Sequence, residues 1–216
     1  MTICVERGIL RNPKAYQVMV ETDRADFCPN DPYDDCPQSI GFNATILAPH
    51  MHAFALEAAL PFINPDQPQR VLDVGSGSGY LCVAFAKLLA PSGKVYGIEH
   101  IQPLVNLARR NTEKSNADLL DGYRIYFICE DGRKGFLPGA PYDIIHVGAS
   151  SSDVPQDLID QTKVGGVIII PVGRINEDQL MKIYKKKSDG SLEDISHHSW
   201  TVRYVPLTDA KLQLEK

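Results

Sequence analysis

The sequence contains no run of apolar residues long enough to cross a lipid bilayer. Its longest such run, residues 164–172, is about half the length that a membrane-spanning helix requires. Close to the start, Glu6 and Arg7 interrupt the apolar residues that would form the core of a signal peptide. We therefore expect a soluble protein of the cytoplasm that has no membrane partner.

The sequence also lacks a long basic segment and a C-x-x-C pair. Its 22 Lys+Arg against 27 Asp+Glu give a formal net charge of -5 at pH 7, which argues against a nucleic-acid partner. The five cysteines are odd in number, a pattern typical of a reducing compartment.

The chain has 216 residues, of which 44% are hydrophobic, and we therefore expect it to fold as one compact unit. No unexplained apolar stripe stands out, so nothing in the pattern contradicts a monomer, the state that the family resemblance described below implies.

From residue 71 onward, short β-branched segments alternate with segments of helical periodicity, as in a parallel α/β sheet. Strands are predicted over 71–74, 94–99, 124–129, 142–147 and 167–171, and helices over 80–89, 103–114 and 154–161. Segments 179–186 and 199–205 predict an antiparallel edge pair joined by the turn at 188–190. Residues 1–69 are irregular and rich in proline, and we expect them to form a cap over one edge of the core, 70–216.

A glycine-rich turn follows the first predicted core strand. Gly75, Gly77 and Gly79 occupy alternate positions, which allows the main chain to approach a ligand at the carboxyl end of the strand. A dinucleotide-binding loop would need its third glycine where Tyr80 stands. With Asp73 two residues before the first glycine, the spacing resembles the first motif of S-adenosylmethionine-dependent methyltransferases. The Asp73 carboxylate could then bind the ammonium group of that cofactor.

Carboxylates also follow the next two predicted strands. Glu99 ends the second strand, where a carboxylate can accept hydrogen bonds from both ribose hydroxyls. Asp131 and Gly132 follow the third, where the carboxylate could bind the adenine amino group and the glycine leaves room for the ring. A lone glutamate at a strand end is often only solvated, and Asp-Gly is also a common turn. The three acidic positions together favour a nucleoside-like cofactor.

Several longer segments resemble one family specifically. They are residues 15–24, 37–42, 48–53, 73–79, 131–133, 141–143, 145–149 and 204–208. Through them the chain is similar to the protein-L-isoaspartate O-methyltransferases over nearly its whole length. The resemblance implies a Rossmann-like class I methyltransferase fold, with a mostly parallel twisted sheet, helices on both faces, an antiparallel C-terminal edge and an N-terminal cap. It also implies S-adenosyl-L-methionine as cofactor and S-adenosyl-L-homocysteine as product.

The resemblance also implies a reaction and a set of site residues. The reaction is methylation of the free carboxylate of L-isoaspartyl, and of D-aspartyl, residues in damaged peptides and proteins, which starts repair through a succinimide. The implied cofactor residues are Ile40, Gly41, Phe42, Asn43, His52, Asp73, Gly75, Ser76, Gly77, Gly79, Glu99, His100, Asp131, Gly132, Thr208 and Gln213. The implied substrate residues are Ala48, Pro49, His50 and Val205. We expect no metal, because no Cys/His/carboxylate cluster surrounds His50 and His52.

The chain departs from the family pattern at position 47. Leu47 stands where the family carries a serine that is assigned to the active site. Thr45 could supply the missing hydroxyl if the loop has shifted. Two alternatives remain open at this point: a protein that binds the cofactor and isoaspartyl peptides with weak turnover because of Leu47, and a methyltransferase of the same fold that acts on another small carboxylate or hydroxyl.

Overall fold

The computed structural model describes residues 2–174, 177–196 and 200–215. Its strands are β1 (Gln38–Gly41), β2 (Ala44–Ile46), β3 (Arg70–Val74), β4 (Lys94–Glu99), β5 (Ile125–Cys129), β6 (Tyr142–Val147), β7 (Thr162–Val172), β8 (Gln179–Lys186), β9 (Leu192–Asp194) and β10 (Trp200–Val202). Its α-helices are α1 (Thr2–Glu6), α2 (Pro13–Glu21), α3 (Pro49–Ala59), α4 (Tyr80–Leu88), α5 (Gln102–Asp121), α6 (Gln156–Gln161) and α7 (Ala210–Leu214). Among these residues, no helix combines the length and apolar character needed to span a membrane.

The main sheet has the strand order β10-β8-β7-β6-β3-β4-β5, with β9 paired to β8. Strands β3 to β7 pair in parallel, and β8 runs antiparallel to β7. The prediction of a mostly parallel α/β sheet with an antiparallel C-terminal edge is confirmed. The chain leaves β3 toward β4 and β5, and then returns to build β6 and β7 on the opposite side. The switch point beside β3 is where open α/β sheets bind ligands.

Apolar side chains cover both faces of the sheet. Val71 and Ile144 pack with α4 on one face, and Leu72 and Ile145 pack with Leu158 of α6 on the other. All of these side chains are fully buried. The two layers of helices exclude water from strands that are apolar along their length, as parallel strands require.

The N-terminal segment lies against a face of the sheet rather than against an edge, which corrects that part of the sequence prediction. Its helices α2 and α3 contact α4, and its residues Ala15 and Leu56 belong to the same apolar cluster as Val71. The alanine-rich α3 buries small side chains closely, because a helix with little side-chain bulk can approach its neighbours. The cap therefore shares the hydrophobic core of the sheet.

Element boundaries differ from the predictions where pairing in space overrides local pattern. Strand β7 begins at Thr162 rather than at residue 167, with an irregular register opposite β6. Helix α5 continues to Asp121 through a kink at Asn116. The turn at 188–190 leads into β9, whereas β10 pairs with the beginning of β8. The predicted antiparallel pairing of the two segments is confirmed, the direct connection predicted between them is wrong, and Ser199 lies outside the described residues.

Candidate active site

A cleft opens at the carboxyl ends of β3, β4 and β6, beside the switch point. Predicted site residues that line it are Thr45, Gly75, Gly77, Glu99, His100, Asp131, Gly132, Val205, Thr208 and Gln213. A second, inner cavity continues beneath the cap and is lined by predicted residues Thr45, Leu47, His52, Asp73, Gly75, Ser76 and Gly77. Thr45, Gly75 and Gly77 line both spaces, so the cleft and the inner cavity adjoin at the glycine-rich turn.

Other predicted residues line neither space. They are Ile40, Gly41, Phe42, Asn43, Ala48, Pro49, His50 and Gly79, and their roles stay predictions. The Nδ1 atom of His50 lies 2.8 Å from Asp35 Oδ1, which turns this imidazole toward the cap. Phe42 and Asn43 form the left-handed two-residue turn between β1 and β2, each with φ +54°.

The three glycines of the turn serve different purposes. Each has positive φ: +79° at Gly75, +49° at Gly77 and +89° at Gly79. A Cβ at Gly79 would lie 3.0 Å from Phe127 Cζ and 3.1 Å from Ala108 Cβ. Gly79 therefore permits close packing of α4, whereas Gly75 and Gly77 bring bare main chain to the site.

Ser76, which lines the inner cavity, carries a buried hydroxyl. Its Oγ atom is buried and has no hydrogen-bond partner in the described part of the chain. A buried polar group without a partner costs about 1–3 kcal/mol. An acceptor atom on a bound ligand would remove that penalty. The orphaned hydroxyl beside the glycine-rich turn therefore fits a cofactor with a polar end.

Glu99 is a buried carboxylate at the floor of the cleft, with 7% of its surface exposed. The main-chain N–H of Ile101 donates to its Oε1 at 3.2 Å. Burial raises the pKa of this carboxyl above its ordinary value, because a charge is poorly solvated there. Two ribose hydroxyls donating to Glu99 would stabilise the ionised form, so the environment fits the predicted role.

Asp131 is fixed by an arginine that the sequence analysis missed. Arg133 Nε lies 2.9 Å from Oδ1, and Arg133 Nη2 lies 2.7 Å from Oδ2. Hydrogen bonding to Arg133 lowers the pKa of Asp131. Arg133 also pairs with Asp209 immediately before α7. The Asp-Gly-Arg order was the available signal, and an adenine amino group would share Asp131 with this arginine.

The C-terminal segment is hydrogen-bonded across the mouth of the cleft through Gln213. Gln213 Nε2 donates to the Phe42 carbonyl at 2.9 Å, and the Gln213 carbonyl accepts from Asn43 Nδ2 at 2.8 Å. Its Oε1 lies 2.7 Å from His100 Nε2. Ile40 packs from the same hairpin toward the glycine turn, since a Cβ at Gly77 would lie 3.3 Å from Ile40 Cδ1. The structure thus gathers residues from the cap, β4 and the C-terminus.

Asp73 is hydrogen-bonded to two other side chains, His146 and Cys82. His146 Nδ1 lies 2.8 Å from Oδ1, and Cys82 Sγ donates to Oδ2 at 3.2 Å. Both Asp73 and His146 are 2% exposed, and His146 lines the inner cavity. Each carboxylate oxygen has a second lone pair. Contact of Asp73 with a cofactor ammonium therefore stays a prediction, and it would share the carboxylate with His146.

Three comparisons place the chain among known proteins. The family model described as protein-L-isoaspartate(D-aspartate) O-methyltransferase (PCMT) matches residues 1–212. A protein-L-isoaspartate O-methyltransferase of Triticum aestivum is 45% identical over 212 residues, covering 96% of this chain and 89% of the relative. One from Caenorhabditis elegans is 42% identical over 205 residues, covering 95% and 89%.

A solved structure shows the same fold. It is described as a protein-L-isoaspartate O-methyltransferase from Plasmodium falciparum in complex with S-adenosyl-L-homocysteine, and it matches with a TM-score of 0.83, 31% identity and 94% coverage of each chain. The match includes the cap as well as the sheet. Sequence and fold agree, and the chain belongs to the protein-L-isoaspartate(D-aspartate) O-methyltransferase family.

Proposed function

We propose that this protein transfers the methyl group of S-adenosyl-L-methionine to the free carboxylate of L-isoaspartyl residues, and of D-aspartyl residues, in damaged peptides and proteins. The observation that carries the proposal is the buried Glu99 in the cleft, which adjoins an inner cavity lined by Ser76, whose hydroxyl is buried without a partner among the described residues. Family membership supports the same reaction. The relatives are named as methyltransferases, so the alternative of a binding protein with weak turnover is not favoured.

The cofactor would supply an electrophilic methyl group on a positively charged sulfur. In this chain Glu99 would accept hydrogen bonds from the ribose, and Asp131 would lie beside the adenine amino group. Ser76 would donate its hydroxyl to the polar end in the inner cavity. Each assignment matches a residue that lines one of the two spaces.

The attacking group needs no base from the protein. A carboxylate with an ordinary pKa near 4 is already ionised at neutral pH. Catalysis then depends on placing its oxygen in line with the methyl group, and positioning of this kind can remove several kcal/mol from a barrier. Thr45 and Leu47 line the inner cavity, where we propose that the substrate carboxylate enters. The methoxy group of the ester is a better leaving group than the oxygen of a carboxylate, so the neighbouring main-chain amide nitrogen can attack the ester carbonyl and expel methanol. The resulting succinimide is then hydrolysed, partly to normal aspartate.

The test measures the rate of S-adenosyl-L-homocysteine release from S-adenosyl-L-methionine under three conditions: with a peptide containing L-isoaspartate, with the matching aspartyl peptide, and without peptide. We expect turnover with the isoaspartyl peptide alone. Equal release with all three would contradict the proposal, because the reaction would then not depend on the isomerised residue.

Thr45→Val tests the proposed substrate-positioning hydroxyl. Thr45 lines both the cleft and the inner cavity, and valine keeps its shape while removing the hydroxyl. Loss of one hydrogen bond to the substrate should lower kcat/KM about tenfold. Thr45→Ser keeps the hydroxyl and is the matched control, with activity near that of the parent. Unchanged kinetics for Thr45→Val would remove Thr45 from the mechanism.

We also propose a monomeric protein of the cytoplasm, without a nucleic-acid partner, in which cap 1–69 and core 70–216 form one unit. A net charge of -5 supports the absence of nucleic acid. All five cysteines, which lie within the described ranges, are free, as expected in a reducing compartment. Sedimentation that gave a dimer mass would contradict the monomer.

A further inference from the structure

Arg24 is a buried cation beside the inner cavity. It is 6% exposed, although arginine is rarely buried without a charged partner. Among the described residues, no carboxylate lies within ion-pair distance of its guanidinium. Its Nε atom is also buried without a hydrogen-bond partner there. For folding alone, an apolar side chain of similar volume would be the less costly choice.

The hydrogen bonds that Arg24 does make lead to the site. Its Nη2 donates to the main-chain carbonyl of Leu47 at 2.6 Å, and its Nη1 lies 3.1 Å from His52 Nδ1. Leu47 and His52 both line the inner cavity. One guanidinium therefore links the loop at position 47 to the imidazole on α3.

The contact with Arg24 determines the tautomer of His52. Arginine can only donate, so Nδ1 of His52 must accept and the ring proton must sit on Nε2. Burial, followed by the charge of Arg24, holds the pKa of His52 well below its ordinary value. Tyr80 stacks on the imidazole with ring centroids 4.4 Å apart, which fixes the ring plane. His52 thus contributes a neutral N–H donor to the wall of the inner cavity.

Other ionisable groups near His52 do not replace Arg24. Asp73 and His146 line the same cavity from β3 and β6, but they are hydrogen-bonded to each other. His50 lies on the same helix as His52 and pairs with Asp35. Tyr80 of α4 contacts the imidazole through its ring face. Among the described residues, Arg24 is the hydrogen-bond partner of the His52 ring.

We propose that Arg24 is a positioning residue for methyl transfer, acting through His52 and through the carbonyl of Leu47. This inference rests on the proposed function. Arg24 sets the His52 tautomer that leaves the Nε2–H available to an anionic group, and it adds to the effect of burial that keeps the imidazole neutral. It also fixes the loop that carries Thr45 and Leu47. A neutral donor can hydrogen-bond a carboxylate without repelling the positive sulfur of the cofactor.

Arg24→Met tests this role in the full chain. We expect kcat to fall about tenfold to a hundredfold, with a smaller change in the Kd for S-adenosyl-L-homocysteine. The pKa of His52 should rise when the charge of Arg24 is removed, while burial keeps it below the ordinary histidine value, so the acid limb of the kcat/KM profile should move to higher pH than in the parent. Arg24→Lys keeps the charge but not the planar pair of donors, so it should recover folding more fully than activity.

Arg124→Met is the matched control, because Arg124 is also partly buried and donates to main-chain carbonyls, those of Ala86 and Ala90, away from the site. It should lower thermal stability without moving the acid limb. Nitrogen-15 NMR of the imidazoles gives a readout independent of activity: His52 should show the Nε2–H tautomer at pH 6 in the parent, and Arg24→Met should lose this single tautomer and show a higher His52 pKa than the parent. A Nδ1–H tautomer in the parent would overturn the inference, and so would an Arg24→Met protein that is folded and keeps the parent pH profile. Failure of the parent to methylate the isoaspartyl peptide, with the expected NMR result, would count against the proposed function instead.

Discussion

Glu99→Ala should weaken binding of S-adenosyl-L-methionine about a hundredfold. Two hydrogen bonds from hydroxyls to a buried carboxylate are worth roughly 3 kcal/mol together, which corresponds to that change in Kd. Titration calorimetry gives the Kd directly. Glu130→Ala is the control, because Glu130 carries the same charge nearby but is exposed and does not line the cleft. An unchanged Kd for Glu99→Ala would remove this carboxylate from the cofactor site.

The raised pKa of Glu99 adds a pH dependence to this prediction. Burial moves the pKa upward, so the carboxyl takes up a proton at a higher pH than an exposed glutamate does. Cofactor affinity should therefore fall as the pH drops through that raised pKa, whereas Glu99→Gln should bind the cofactor weakly and with little pH dependence over the same range.

The free energy of unfolding of the ligand-free protein should show the opposite pH dependence and decrease as the pH rises. Because the folded pKa lies above the unfolded one, the stability that Glu99 contributes is present at low pH and is lost as the pH rises through the folded pKa.

Leu47→Ser should raise kcat about tenfold, with little change in the Kd for the cofactor, because its hydroxyl would add a second hydrogen bond to the one proposed for Thr45. Position 47 lines the inner cavity, and a hydroxyl there can supply an orienting hydrogen bond worth about 1–3 kcal/mol. The Leu47 carbonyl is already fixed by Arg24, so the substitution changes the side chain on an anchored main chain.

Leu47→Ala separates the hydroxyl from the loss of bulk. It should leave kcat near the parent value, because it opens the cavity without providing a donor. Equal gains for Leu47→Ser and Leu47→Ala would mean that leucine obstructs the substrate. No gain in either variant would show that Thr45 or main-chain groups already complete the site.

The sheet and the glycine-rich turn were predictable from the sequence because their signals are local. Strand β4 occupies the predicted residues 94–99, and Gly75 and Gly77 line the cleft as expected. Parallel strands are apolar along their length, so burial on both faces is visible in the sequence itself. The carboxylates that follow them then meet at one edge of the sheet.

The contacts that organise the site were not predictable, because they join residues far apart in the chain. Asn43 and Gln213 are 170 residues apart in sequence and meet only in the folded protein. Arg24 shows no local pattern that points to His52, 28 residues later. The short strand β9, which pairs with β8 and separates it from β10 along the chain, likewise gave no signal in the sequence. Long-range polar pairs of this kind have no periodicity from which to infer them.

The central claim, methyl transfer to an isoaspartyl carboxylate, is tested most directly by locating the transferred group. The protein is incubated with deuteromethyl-labelled S-adenosyl-L-methionine and a peptide that contains one L-isoaspartate and one ordinary aspartate. Tandem mass spectrometry at mildly acidic pH should find the label only on the free carboxylate of the isoaspartyl residue, and mild base should release it. Label on the ordinary aspartate, on a hydroxyl or on nitrogen would contradict the account.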